Sequence, residues 1–215
     1  MGSVLADGQP ESGTEVIPAD VLSWMNLADQ ARISLIDTPR AAPEPYDPRE
    51  GTAGLVLLAT SPVFAESGEL LGTVVVGHLF NKNFTLVDLI KEVAGVDTAT
   101  IFFGDLRVST NVLDKEGQRA IGTRVSQEVY DQVLVQGEEY TGRAFVVNQW
   151  YITRYRPLHN HLGQVVGSLY VGAKQAVFDR LVDSFARRLG FVTGATILLA
   201  ILIAIPTAIS ISRPL

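Results

Sequence analysis

The chain has no cysteine among its 215 residues. That excludes a disulfide framework and a thiolate metal site, and leaves the redox compartment open. It is also short of positive charge: 17 Lys and Arg stand against 23 Asp and Glu, a net charge of −6. Nucleic-acid binding needs concentrated basic residues, so nucleic acid is not an expected partner. There are three histidines, and His159 and His161 share a hairpin turn beside Asn160, where a solvated turn is the expected role rather than a metal centre. No nucleophile elbow with a partner base occurs, and no phosphate-binding glycine loop. No catalytic residue, metal or cofactor is therefore expected, and the chain is not expected to be an enzyme. Met1 to Gly13 lacks an apolar signal segment. A domain outside a membrane would need one, or a first span, so the expectation is of a fragment missing an N-terminal piece.

Charge of either sign is missing from Leu189 to Ser212, between Arg188 and Arg213. As a helix rising about 1.5 Å per residue, this run reaches roughly 36 Å, enough to cross a hydrocarbon core of about 30 Å. A membrane helix is predicted over 189–212, and the membrane is an expected partner. Arg180, Arg187 and Arg188 precede the span and only Arg213 follows it. By the positive-inside rule alone, the large domain would be cytoplasmic.

The rest of the chain has the composition of a folded domain. Residues 14–37 carry apolar positions at three- and four-residue steps after Pro18, which predicts a helix. Thr38 to Gly54 holds four prolines and reads as an exposed loop. From Gly54 to Phe80 two β-branched and leucine-rich runs flank Glu66-Ser67-Gly68-Glu69, a hairpin signal. Asn83 to Val93 follows as an amphipathic helix. Strands are predicted at 98–103, 106–109, 140–148, 150–156 and 165–172, with a helix over Ser126 to Val135 capped by Ser126. This is an α+β layout with a five-stranded antiparallel sheet and helical cover.

An internal repeat crosses these blocks. Pro62, Gly68, Gly72 and Gly77 recur at an offset of 95 as Pro157, Gly163, Gly167 and Gly172. Four positions in register predict two modules related by duplication, the first of them incomplete.

The stretches FNKNFTLVDLI (80–90), GDLRVSTNV (104–112), GQRAIGTRVSQEVYDQVL (117–134), RAFVVNQWYITRYRPL (143–158) and GQVVGSLYVG (163–172) resemble the fused double-Cache sensor region of bacterial sensor histidine kinases and chemoreceptors. The resemblance covers roughly Gly54 to Leu189. It implies a PAS-like fold outside the bacterial inner membrane, against the local arginine count. It also implies a second transmembrane helix followed by a HAMP relay domain, whose start is matched by Ser212 to Leu215. The expected division is a partial membrane-distal Cache-like module at 1–80 and a connecting helix at 81–95. A membrane-proximal module at 96–174 and a signalling helix at 175–188 follow, then the span at 189–212 and the HAMP start at 213–215.

Strand alternation puts Tyr151, Thr153 and Tyr155 on one face, an aromatic wall with hydroxyl ends that suits a small polar ligand. Arg107 and Arg143 lie at strand edges and can pair a carboxylate bidentately. The alternative stands beside it: tyrosines packed under the helix and solvated arginines. With the resemblance, whose pockets open on this sheet, the expected ligand site is Arg107, Tyr151 and Tyr155, with Arg143, Thr110 and Tyr140 around them. The ligand class is a small organic anion or an amino acid. Phe178, Val182, Phe185, Leu189 and Val192 form a heptad seam that predicts a homodimer, and Gly190 and Gly194 form a GxxxG. The expected function is ligand sensing and transmembrane signalling, as the input part of a sensor histidine kinase. A chemotaxis receptor and an anchored binding protein without a transmitter are the alternatives.

Overall fold

A computed structural model describes residues 9–147 and 149–212; at 145, 149, 176–183, 199, 202–203 and 206–212 only the backbone is described. The expected HAMP start at 213–215 lies outside the described residues. Contacts divide the chain into two compact units, Met1–Ala173 and Lys174–Leu215.

The first unit holds two antiparallel sheets. One has three strands in the order β1-β2-β3: β1 (Glu11–Ile17), β2 (Gly54–Phe64) and β3 (Leu70–Leu79). The other has five strands in the order β5-β4-β8-β7-β6. They are β4 (Thr98–Phe103), β5 (Leu106–Thr110), β6 (Tyr140–Val146), β7 (Gln149–His159) and β8 (Val165–Lys174). The helices are α1 (Ala19–Trp24), α2 (Ala28–Ala31), α3 (Thr85–Ala94) and α4 (Gln127–Val129), which continues as a π-helical turn over Tyr130–Val135. The architecture is α+β, with the five-stranded sheet between apolar layers.

The helix expected over residues 14–37 forms only in part, as the short α1 and α2. Its first part is β1, paired in register with β2 from Glu11–Thr60 to Ile17–Gly54. Thr14, Val16 and Ile17 are β-branched and suit a strand once a partner is present. Pro18 caps α1, and the chain breaks again at Asn26, whose φ of 57° ends the helical run. The proline-rich segment after Thr38 is irregular, as expected, but not simply exposed, since Ala42, Glu50 and Ala53 are buried. Ser126 precedes α4 without a side-chain capping bond.

The two hairpins repeat in geometry as well as in sequence. Ala65 N donates to Glu69 O at 2.8 Å, and Asn160 N to Gln164 O at 2.9 Å. Gly68 and Gly163 donate to the Ala65 and Asn160 carbonyls, both at 2.9 Å, with φ of 84° and 76°. Each of these positions is separated from its counterpart by the same offset of 95.

The five-stranded sheet has two unlike faces. On one, Ala99, Ile101, Phe103 and Val108 pack with Leu55, Phe80 and Val87 in an aliphatic core. Each large side chain buried there contributes about 1.5–3 kcal/mol. On the other, Phe102, Tyr140, Tyr151, Tyr155 and Tyr170 meet Val129, Val133 and Leu134 from α4 and its π turn.

The second unit contains α5 (Gln175–Ser212). Phe185, Leu189 and Val192 of the expected seam are exposed on it, whereas the side chains of Phe178 and Val182 lie outside the described residues. Among the described residues no helix is long and apolar enough to cross a membrane. The expected span is therefore not shown by them, although α5 is helical through 189–212.

Candidate functional site

A β-bulge puts Arg107 where it is. Across β4 and β5, Thr100 faces Thr110 and Ile101 faces Ser109, but the register then shifts so that Phe102 faces Arg107. Without that extra residue Arg107 would point to the aliphatic face with Ser109; with it, Arg107 joins Phe102 and Thr110 on the tyrosine face. Its backbone is fixed by the loop beyond β5. Arg107 N donates to Thr123 O at 2.9 Å, and Gly122 N donates to Arg107 O at 3.1 Å.

The guanidinium is buried, 4% exposed, and its carbon lies 5.2 Å from the centre of the Phe102 ring. Its Nε and Nη1 have no hydrogen-bond partner among the described residues. Burial pulls the group below the usual arginine range, partly opposed by the neighbouring phenols of Tyr155, Tyr170 and Tyr151. Buried cations are ordinarily paired, because an unpaired one forfeits its hydration. A buried guanidinium with open donors presents a planar fork for an anion.

The tyrosines around it form a continuous wall. The rings of Tyr155 and Tyr170 stand 4.8 Å apart, and Tyr140 meets Tyr155 edge-on at 5.9 Å. Burial pushes the Tyr155 phenol far up and that of Tyr170 to about 12. Both are therefore neutral hydroxyls at physiological pH. Tyr170 shares a bond of 3.1 Å with Thr98 Oγ1. Over the wall sits the π turn Tyr130–Val135, a form of helix frequent at functional sites.

Arg107, Tyr151 and Tyr155 are thus brought together, with Tyr140 at the outer end, where its hydroxyl donates to Glu128 Oε1 at 3.3 Å. Thr110 lies on the same face, but its hydroxyl is engaged with Thr100 Oγ1 at 2.6 Å and accepts from Val112 N at 3.0 Å. Arg143 is exposed on β6. It faces Ile152 there, opposite in parity to the Tyr140–Tyr155 pair. Sequence reading missed Phe102 and Tyr170. The alternation Ser168, Tyr170, Gly172 in β8 was the available signal, since it repeats the polar–aromatic face of β7.

A second buried polar cluster was also missed. Asp105 pairs with Arg124 at 2.6 Å, and Glu50 Oε1 accepts from Asp47 N and Asp105 N at 2.9 and 3.2 Å. Burial, with Asp105 beside it, pushes the Glu50 carboxyl up to about 10, so it keeps its proton at neutral pH. Arg124 also donates to the carbonyls of Ala42 and Glu44. Together these bonds clasp the proline-rich segment onto the β4–β5 turn. An open cavity of about 170 Å³ lies elsewhere, on β1 and β2 beside His161. Glu15 there accepts from His161 N at 2.9 Å and contacts its Nδ1 at 2.8 Å, joining the β7–β8 turn to β1. The Arg107 cluster is the stronger site, because its charge is buried without a partner and that of Glu15 is met.

The sequence profile of the family described as single Cache domain 3 matches residues 78–185, just over half of the chain. Among solved structures, the periplasmic domain of Vibrio cholerae LuxQ is 14% identical over 80% of this chain and 75% of that one, with a TM-score of 0.41. The Escherichia coli DcuS sensor domain is 12% identical over 46% of this chain and 71% of that one, with a TM-score of 0.37. Likeness at this level says nothing about what the present chain binds. No curated protein matches significantly. The profile match runs from the end of β3 into α5, so it covers the five-stranded sheet and not the first hairpin; the fused double-Cache arrangement goes beyond it. The chain belongs to the single Cache domain 3 family, a family of sensor domains rather than catalysts.

Proposed function

We propose that this chain senses a small organic anion, bound through its carboxylate to Arg107 and enclosed by Phe102, Tyr151, Tyr155 and Tyr170. The observation that carries this is the buried guanidinium with two unfilled donors. The aromatic wall excludes water, which strengthens a charge-assisted pair, and the tyrosine hydroxyls discriminate among acids by their polar substituents. Tyr140 borders the site. Thr110 supports its floor, and Arg143 would reach a ligand only at the rim of β6.

On this reading the sensor lies outside the inner membrane of a bacterium, anchored by residues 189–212 of α5 and followed by a HAMP domain from 213. Its uncharged run of membrane-crossing length supports that placement. The exposed Phe185, Leu189 and Val192 support a homodimer along α5. The matched turns at offset 95 support two modules: a partial distal one at 1–80 and a proximal one at 96–174, joined by 81–95. The output is a sensor histidine kinase, with a chemotaxis receptor or an anchored binding protein as the alternatives. Residues 175–188 would carry the signal, since β8 ends at Lys174 where α5 begins. Ligand affinity differing tenfold between two helix positions supplies about 1.4 kcal/mol of coupling.

A thermal-shift screen of the full chain with small carboxylic acids and amino acids, each beside its uncharged amide, tests the reading. An acid at a hundred times its dissociation constant should stabilise by about 2.7 kcal/mol, and its amide should not. No stabilising acid, or an amide that stabilises equally, would contradict it.

A further inference from the structure

On the tyrosine face the hydroxyl protons can be assigned from the bonds they make. A threonine or tyrosine hydroxyl has one hydrogen to donate and lone pairs with which to accept. Thr98 shares the face of Phe102 on β4 by alternation, and its Oγ1 lies 3.2 Å from Gly172 O and 3.1 Å from Tyr170 Oη. A carbonyl can only accept. Both contacts are therefore satisfied when Thr98 donates to Gly172 O and Tyr170 donates to Thr98. The Tyr170 proton is thereby committed, and its oxygen meets a ligand as an acceptor. Thr153 is in the same state, since its hydroxyl donates to Gly142 O at 3.1 Å. Tyr140 has acceptors at its hydroxyl, Glu128 Oε1 at 3.3 Å and Arg143 O at 3.5 Å, and so donates outward as well.

Two of these groups come together at one glycine. Thr98 faces Gly172 across β4 and β8. Leu58 faces Gly77 across β2 and β3, and their counterparts at offset 95 are Thr153 and Gly172, which sets Thr153 on the other side of the same glycine. Tyr170 lies along β8 above it, for a Cβ on Gly172 would collide with Tyr170 Oη and Thr98 Oγ1. Thr98, Thr153 and Tyr170 are all buried. Arg107 acts on Tyr170, and Asp97 acts on both Tyr170 and Tyr151. A carboxylate placed above Gly172 would meet lone pairs and the negative charge of Asp97, and both disfavour it. The hydroxyls of Tyr151 and Tyr155 can turn to suit either a donor or an acceptor.

We infer that the acid held by Arg107 carries a hydrogen-bond donor of its own, a hydroxyl or an ammonium group, received by Tyr170 Oη and Thr153 Oγ1. Thr98 is a positioning residue: it makes Tyr170 an acceptor without itself meeting the ligand. The inference rests on the Arg107 reading and narrows the ligand within it, away from unsubstituted acids, oxo acids and dicarboxylates.

Titration calorimetry of the full chain with matched acids tests this. The probes are butanoate, its 2- and 4-hydroxy and 2- and 4-amino derivatives, 2-oxobutanoate and succinate, with the corresponding six-carbon set beside them. The best donor-bearing acid should bind about fivefold to tenfold more tightly than the unsubstituted acid of its length, the worth of one neutral hydrogen bond. Its margin over the oxo acid and the diacid should be at least as large. A lead for the hydroxy acid or for the amino acid supports the inference and identifies the donor. Thr98→Val frees the Tyr170 proton, so the ratio of hydroxy-acid to oxo-acid affinity should fall about tenfold, with the oxo acid bound more tightly than in wild type. Thr98→Ser should keep the wild-type ratio. An unsubstituted, oxo or dicarboxylic acid that binds as well as the donor-bearing ones, or an unchanged ratio in folded Thr98→Val, overturns the inference and leaves the Arg107 reading standing. No binding by any acid overturns both. Should Thr98→Val fail to fold, the acid series in wild type decides alone.

Discussion

Across β1 and β2, Thr60 faces Glu11; across β6 and β7, Tyr155 faces Tyr140. Thr60 and Tyr155 occupy the same place in two three-strand arrangements with the same order and the same turn, yet their surroundings differ. In β7 the positions Tyr151, Thr153 and Tyr155 are polar or aromatic, all buried, and look toward Arg107. Of their counterparts in β2, Val56 and Leu58 pack with Leu22 of α1, Ala28 and Ala31 of α2, and Ile17 and Leu79 of their own sheet, while Thr60 Oγ1 donates to Glu11 O at 3.4 Å. Two further strands, β4 and β5, complete the second sheet and bring Arg107 with them; among the described residues the first sheet runs β1-β2-β3 only. The backbone frame alone therefore does not make a site. The added strands, and the bulge in one of them, do.

The largest expected effect separates the two frames at equivalent glycines. A Cβ on Gly167 would run into the carbonyl oxygen of Phe102, on β4, whereas one on Gly72 would meet nothing. Gly167→Ala should cost about 3 kcal/mol or more in urea unfolding, and Gly72→Ala less than about 1 kcal/mol. Similar costs at both would break the comparison, because they would mean that both edges are covered alike.

The clasp on the β4–β5 turn has no counterpart in the first sheet and gives the next effect. Below about pH 4.5, the ordinary value for Glu50, the carboxyl is protonated in both folded and unfolded chains. Between there and about 10 only the folded chain holds the proton, so this group's contribution to stability declines as pH rises. Glu50→Gln mimics the protonated form. It should flatten the fall in melting temperature between pH 5 and pH 8 and leave the variant several degrees more stable than wild type at pH 8. Thermal scans at the two pH values check this; parallel pH profiles would contradict it.

A smaller effect is expected from the wall itself. Tyr151→Phe with Tyr155→Phe removes only hydroxyls from buried rings, so melting should change little, while affinity for the bound acid should fall about fivefold to tenfold, the worth of one neutral hydrogen bond. Unchanged affinity in titration of the double variant would place the ligand away from β7.

Much of this was legible in the sequence because it rests on local periods. The alternation of Tyr151, Thr153 and Tyr155 gave the face of β7 correctly, and the glycine turn at Gly163 gave its end. Arg107 was reached by chemical type and family resemblance, but its orientation was not, since strict alternation from Thr110 sends it to the opposite face and only the bulge reverses it. The residues of β1 could not be read as a strand from their own spacing, because their partner β2 lies some forty residues away and supplies the reason for their conformation. Glu50 was hidden for a related reason. A carboxylic acid in a proline-rich loop looks solvated until Asp105 and Arg124, far along the chain, are folded against it.

The central claim is that the second sheet binds an acid through Arg107, and titration calorimetry of the best acid against wild type and Arg107→Met tests it most directly. Methionine fills much the same space without charge, and removing an unpaired buried charge should leave the unliganded chain as stable as before or more so. The account predicts an affinity loss of at least a hundredfold, about 2.7 kcal/mol, with the melting temperature of the free protein unchanged or raised. Binding within threefold of wild type in a folded Arg107→Met variant would contradict it.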